Sequence, residues 1–156
     1  MDINLLQQAL ADDLAELFSD FELTGSDGES KSINIYRQFI PIAASADDTY
    51  TPPEPYIQVR VSDGELEDRD ERQTVSVVLV IGIYDQSPDR QGYVDALHIV
   101  EAIKLRYGSN GVFGQKYEAK TPIRWAVSDE DTHPYYYAAV GFDVSAPAIY
   151  AEGMDE

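Results

Sequence analysis

From Thr74 to Tyr84 the chain is apolar on both alternating faces, with Val75, Val77, Leu79, Ile81 and Ile83 at one parity and Val78 and Val80 at the other. Successive side chains of a strand point to opposite sides, so a segment apolar at both parities has to be covered twice. The pattern predicts a central strand, with helices over one face and either more helices or a neighbouring subunit over the other. Ile57, Val59 and Val61 alternate with Gln58, Arg60 and Ser62, which supplies a half-buried strand to form a hairpin with it. Between the two arms lies Asp63-Gly64-Glu65-Leu66-Glu67-Asp68-Arg69-Asp70-Glu71, where six carboxylates in nine residues repel one another and keep the tip extended and wet. Such a tip can hold divalent cations weakly and without defined geometry. The simpler reading is a solvated run of charge.

The remaining elements follow from periodicity. Ile3, Leu6, Leu10, Leu14 and Leu17 recur at helical spacing behind Asp2, an N-cap residue type. Thr24 to Gly28 breaks this segment with turn residues, and Ile33, Ile35 and Phe39 then alternate as a first strand. A second helix is expected after Ser87 as cap and Pro88 in the first turn, ending at Gly108, with Tyr93, Leu97, Val100, Ile103 and Tyr107 as its buried stripe. Two more strands carry Ile123, Trp125 and Val127, and then Tyr136, Val140, Phe142 and Val144. The order helix, three strands, helix, two strands with short connections predicts an α+β fold: an antiparallel or mixed sheet of about five strands with two helices packed on one face. Residues 1–147 form one domain on this reading, with mobile loops at 41–55 and 63–72 and a loose acidic tail at 148–156. The 41–55 segment, rich in proline and without period, is either an arm that orders against a partner or a tolerated insertion.

Composition narrows the function classes. The 156 residues suit one domain and include no cysteine, which removes disulfides, thiolate metal sites and cysteine nucleophiles. With 29 Asp+Glu against 11 Lys+Arg the formal net charge is −18, a field that repels phosphate backbones and anionic lipid. No apolar stretch approaches the length of a spanning helix, and the N-terminus lacks a basic leader, so the expectation is a soluble intracellular domain with no membrane partner.

Chemistry is sparse. There is no Gly-x-Ser-x-Gly elbow, and the two histidines fall in different settings: His98 within the second helix, expected to be a partly buried structural residue, and His133 in a turn before Pro134, expected to be solvated. The loop Gly108 to Lys116 is rich in glycine, but Gln115 separates Gly114 from Lys116, Tyr117 follows, and the loop leaves a helix where a phosphate-binding loop opens one. An EF-hand pattern starting at Asp20 places Lys31 where a bidentate glutamate belongs. Asp85, Asp89, Asp95 and Glu101 are acid–base candidates only in the sense that any chain so acidic contains chance pairs. The expectation is no enzyme, no cofactor and no metal. Tyr135-Tyr136-Tyr137 cannot all face one core, so at least one points to the other face or to a partner.

Several short motifs in this order are similar to those of the tail terminator (tail-completion) proteins of long-tailed phages and prophages. They are Pro55-Tyr56-Ile57-Gln58-Val59 with the acidic tip, Ile81-Gly82-Ile83-Tyr84-Asp85, Gln91-Gly92-Tyr93-Val94-Asp95, Pro122-Ile123-Arg124-Trp125, and Pro134-Tyr135-Tyr136-Tyr137. The resemblance spans residues 55–147 and leaves 41–55 without a counterpart. It implies a small α+β subunit of a hexameric ring, located in the virion tail and in the host cytoplasm during assembly. Such a ring caps the tail tube, stops its polymerisation and offers the surface for head–tail joining. The implied partners are further copies of the chain, the tail-tube protein and a head-completion or connector protein, with DNA passing through unbound. A closed ring needs two different patches per subunit. The candidates are the sheet face with Val78 and Val80, the tip with Glu65, Glu67, Asp68 and Asp70, the 108–115 loop with Asn110 and Phe113, and Tyr135 and Tyr137. Another head–tail connector or tail-tube-associated protein, an acidic DNA mimic, a small hydrolase and simple salt adaptation are the competing readings.

Overall fold

The computed structural model describes residues 2–24, 29–42 and 52–147. In chain order these form α1 (Ile3–Leu17), β1 (Glu22–Thr24), β2 (Ser30–Ser32), β3 (Asn34–Arg37), β4 (Tyr56–Glu65), β5 (Gln73–Tyr84), α2 (Gln91–Ser109), β6 (Val112–Phe113), β7 (Tyr117–Val127) and β8 (Tyr135–Ala146). A six-stranded sheet in the order β3-β4-β5-β8-β7-β6 makes one layer, and β1 and β2 form a separate small hairpin. The fold is α+β with a mixed sheet, since β3 runs parallel to β4 while the other pairs are antiparallel. Three short strands exceed the expected set. The strand around Ile123 begins at Tyr117, directly after the glycine-rich loop, and that loop itself holds the end of α2 and β6.

Both helices lie on one face. Leu6, Leu10 and Leu14 of α1, and Ile99, Val100 and Ile103 of α2, share one core with Val75, Val77, Leu79, Ile81 and Ile83 of β5. The helices are tied to each other through Asp13, which accepts from Arg106 Nη2 at 2.9 Å and from the Tyr107 hydroxyl at 2.7 Å. Burial, and then the carboxylate of Asp13, push the Tyr107 hydroxyl well above its usual range. Asp2 caps α1 as expected, accepting from Asn4 N at 2.8 Å.

The second helix departs from its expected start and stripe. It begins at Gln91 behind Arg90, whose left-handed backbone (φ 59°) provides no side-chain cap. The capping acceptor is Asp85 at the end of β5, whose Oδ2 takes the Gly92 N–H at 2.6 Å and the Ser87 hydroxyl at 2.7 Å. A carboxylate at a helix N-terminus meets both the free N–H groups and the positive end of the dipole, so it makes the shorter bond, while the Ser87 hydroxyl accepts the Gln91 N–H at 3.4 Å. The close approach requires glycine: a Cβ at position 92 would stand 2.6 Å from the Tyr136 ring and 2.8 Å from Asp85. With the backbone pressed there, Gly92, Ala96 and Ile99 face the sheet, Tyr93 is left 48% exposed, and Leu97 moves to the rim. The helix runs through Gly108 to Ser109 before Asn110 turns extended.

Candidate interaction surface

The helices cover one face of the sheet and leave the other open. On β5 the second parity (Ser76, Val78, Val80 and Tyr84) faces away from them and is half-buried. Pairing extends this parity sideways, because residues opposite one another across an antiparallel ladder share a face. One row reads Arg60, Val78, Gly141 and Arg124 across β4, β5, β8 and β7. The next reads Gln58, Val80, Ala139 and Ala126. The floor of this face is therefore built of small apolar residues flanked by two arginines.

Its two ends differ. At one, Tyr56 lies over Gly82, where a Cβ would stand 2.2 Å from the ring, and Tyr36 packs on Tyr56 at 6.3 Å between centroids. Tyr137 pairs with Gly82 in the ladder and Tyr135 stacks edge-on against Tyr84 at 5.2 Å. Burial, followed by the charges of Tyr137 and Glu54, pushes the Tyr56 hydroxyl up to about 12. The chain entering this end is pinned, since Asn34 Nδ2 donates to Pro53 O at 3.0 Å and Asn34 N to Pro55 O at 2.9 Å. Of the expected 41–55 loop, residues 43–51 lie outside the described residues, as does the 148–156 tail.

At the other end, β7 bulges between Lys120 and Arg124 against β8 and opens a cavity of about 400 Å³ lined by Ser62, Ser76, Thr121, Pro122, Arg124 and Asp143 among others. Here Asp143 accepts from the Ser76 hydroxyl at 2.6 Å, and Lys120 pairs with Glu118 at 2.8 Å. The hydrogen bond and charge of Lys120 hold the Glu118 carboxyl below its usual range.

The expected interface residues are thus sorted by position. Val78, Val80 and Tyr137 lie on the open face, half-buried, with Tyr135 at its end and 36% exposed. Glu65, Glu67, Asp68 and Asp70 are exposed on the tip, although Asp63 to Glu65 belong to β4 and so shorten the expected 63–72 loop. Asn110 is exposed beside α2. Phe113 is a correction: it is 3% exposed, packed between Tyr107 at 6.0 Å and Tyr117 at 5.6 Å, because β6 folds its ring inward under the sheet edge. Arg60 belongs to the open face and was not anticipated. Its place beside Val78 follows from register, which the alternation of one strand does not state.

The chemical candidates do not converge. His98 is exposed on α2, not partly buried, because the helix presents Ile99 and Val100 to the core. His133 sits exposed in its turn, its Nδ1 2.8 Å from the Tyr136 hydroxyl. Nearby, Arg90 makes a bidentate pair with Asp131 at 2.8 and 3.1 Å, and those hydrogen bonds hold the Asp131 carboxyl down at about 2. Burial opposes ionisation of Asp85, yet the hydrogen bonds from Ser87 and Gly92 outweigh it and keep that carboxyl below its usual range. Among the described residues no group of three or more His, Asp and Glu is placed to hold a metal, and no helix is long and apolar enough to cross a membrane.

Neither a family model nor a curated protein matches this chain. A solved structure matches it with a TM-score of 0.56 at 13% sequence identity, covering 94% of this chain and 96% of that one. At that identity the likeness is one of fold: a chain of nearly the same extent adopts the same α+β arrangement.

Proposed function

We propose that this protein is a phage structural subunit, a tail terminator whose copies form a ring that caps the tail tube, stops its polymerisation and provides the surface for head joining. The observation that carries this reading is the open sheet face. A monomer has no need of valines at 78 and 80, or of alanines at 139 and 126, on a surface its own helices leave bare. A neighbouring subunit supplies the second cover that the doubly apolar β5 requires. The short motifs of residues 55–147 point the same way, and in the fold they sit around that face and at the start of α2. The reading is non-enzymatic: the ring acts by shape and by its surfaces.

The partners that follow are other copies of the chain, a tail-tube protein and a head-completion protein, in a virion tail assembled in the host cytoplasm. The net charge of −18 per subunit then gives the ring a negative field that keeps a passing DNA from adhering. The test is to polymerise the tail-tube protein of the same genome with and without this protein. The expected result is shorter tubes bearing a ring at one end in electron micrographs. Tubes of unchanged length with bare ends would overturn the reading.

A further inference from the structure

We propose that the acidic hairpin tip of one subunit docks on the open sheet face of the next, with Leu66 on the Val78–Gly141 floor and Glu65 and Glu67 between Arg60 and Arg124. The proposal rests on the ring reading above and names its subunit contact. Three observations carry it.

First, the two arginines are available. Arg90, Lys104, Arg106 and Lys120 are each taken up by a carboxylate of the same chain. Arg124 has no hydrogen bond or ion pair to a described residue, and Arg60 only rests over the Phe39 ring at 5.9 Å. In a chain so acidic, two cations left without carboxylates on one face await an outside acid.

Second, the spacing fits. Arg60 and Arg124 lie three strands apart in one row, about 14 Å between backbones, on either side of a floor of Val78 and Gly141, with Arg60 leaning toward Phe39 on the β3 side. Glu65 and Glu67 are two residues apart, about 7 Å in an extended segment, and point away from Leu66. With Leu66 laid on the floor, Glu65 and Glu67 stand above it, where the long side chains of the two flanking arginines can rise to meet them. The small floor, opened further by the β7 bulge, accepts a branched side chain.

Third, the tip is bare. Glu65, Glu67, Asp68 and Asp70 are exposed, and Leu66 is 41% exposed among them. Arg69 is the tip's one inherent cation, while Arg72 is turned back onto Ser145 and the Lys116 carbonyl. Tip and floor are different patches of one chain, so the contact is head-to-tail and closes into a ring when the rotation allows.

The test uses two full-length variants, both with substitutions on exposed positions: Glu65→Lys with Glu67→Lys, and Arg60→Glu with Arg124→Glu. Each alone sets like charges against each other at every contact, and self-association should weaken by about 100-fold in sedimentation velocity. Mixed in equal amounts, each tip finds an opposite-charge floor on the other variant, and a ring of alternating subunits with the wild-type mass should return. Circular dichroism checks that both variants fold. Variants that each assemble like the wild type overturn this contact and leave the ring reading standing. Variants that lose assembly alone and stay apart on mixing overturn it as well. A wild-type protein that never associates overturns the contact, and the tube-length assay then decides the ring separately.

Discussion

The two faces of β5 are made of nearly the same residues and have different fates. Val75, Val77, Leu79, Ile81 and Ile83 are between 0% and 2% exposed beneath the helices, whereas Val78 and Val80, one residue away, remain half-buried on a face that has no second layer among the described residues. Burial beneath the helices stabilises the subunit by itself. The apolar area still exposed on the open face contributes nothing until another surface arrives, and its contribution then appears as association. The same chemistry is thus divided between folding and assembly by where the helices lie.

This division can be broken most forcefully at Leu79. Leu79→Ala leaves a cavity under the helices and should cost about 3 kcal/mol in denaturant unfolding, whereas Val78→Ala should change monomer stability by less than about 1 kcal/mol while weakening self-association. Equal losses of folding stability at the two positions would erase the distinction. Gly92→Ala should come next, costing about 2 kcal/mol, because its Cβ meets the Tyr136 ring and Asp85 at the point where α2 is held to the sheet. A neutral result would mean that Tyr136 swings freely, and that the helix is positioned by something else. Tyr107→Phe should cost about 1 kcal/mol by removing a hydrogen bond to Asp13 between the two helices, with assembly unchanged.

The smallest effect concerns pH. The Asp131 carboxyl is held at about 2 by Arg90 against an ordinary value of 3.8. A depressed folded-state value means that its contribution is complete above the unfolded value and is lost as the pH falls toward 2. Protonation of the other acids relieves repulsion over the same range. The quantity to follow is therefore the difference in stability between Asp131→Asn and wild type, which should be present at pH 6 and shrink as the pH falls from the ordinary value through about 2. A difference that stays constant across that range would show that Asp131 acts through something other than its charge.

Much of the architecture was legible because long elements repeat a period. The two helices, the hairpin of β4 and β5, and the strands carrying Ile123 and Val140 all declare themselves by alternation or helical spacing. The short strands did not, since Ser30-Lys31-Ser32 and Val112-Phe113 are too brief to show a period. The parallel pairing of β3 with β4 was equally hidden, because periodicity carries no direction. At the start of α2, local propensity pointed to Ser87, which accepts the Gln91 N–H, but not to the carboxylate that arrives from the end of β5 and makes the shorter capping bond. The candidate surface divides in the same manner. Val78 and Val80 could be read from their own strand, and the acidic tip from its charge. The row joining Arg60 to Arg124 depends on three strand registers, one of them shifted by the β7 bulge, and no pattern within any single segment states it.

The most direct test of the central claim, that the open face is covered by another copy of the chain, is the native mass of the wild-type protein over a wide range of concentration. The account predicts a discrete species of six times 17.4 kDa that persists on dilution to low micromolar concentration and weakens as salt is raised. A species of 17.4 kDa at every concentration would contradict it.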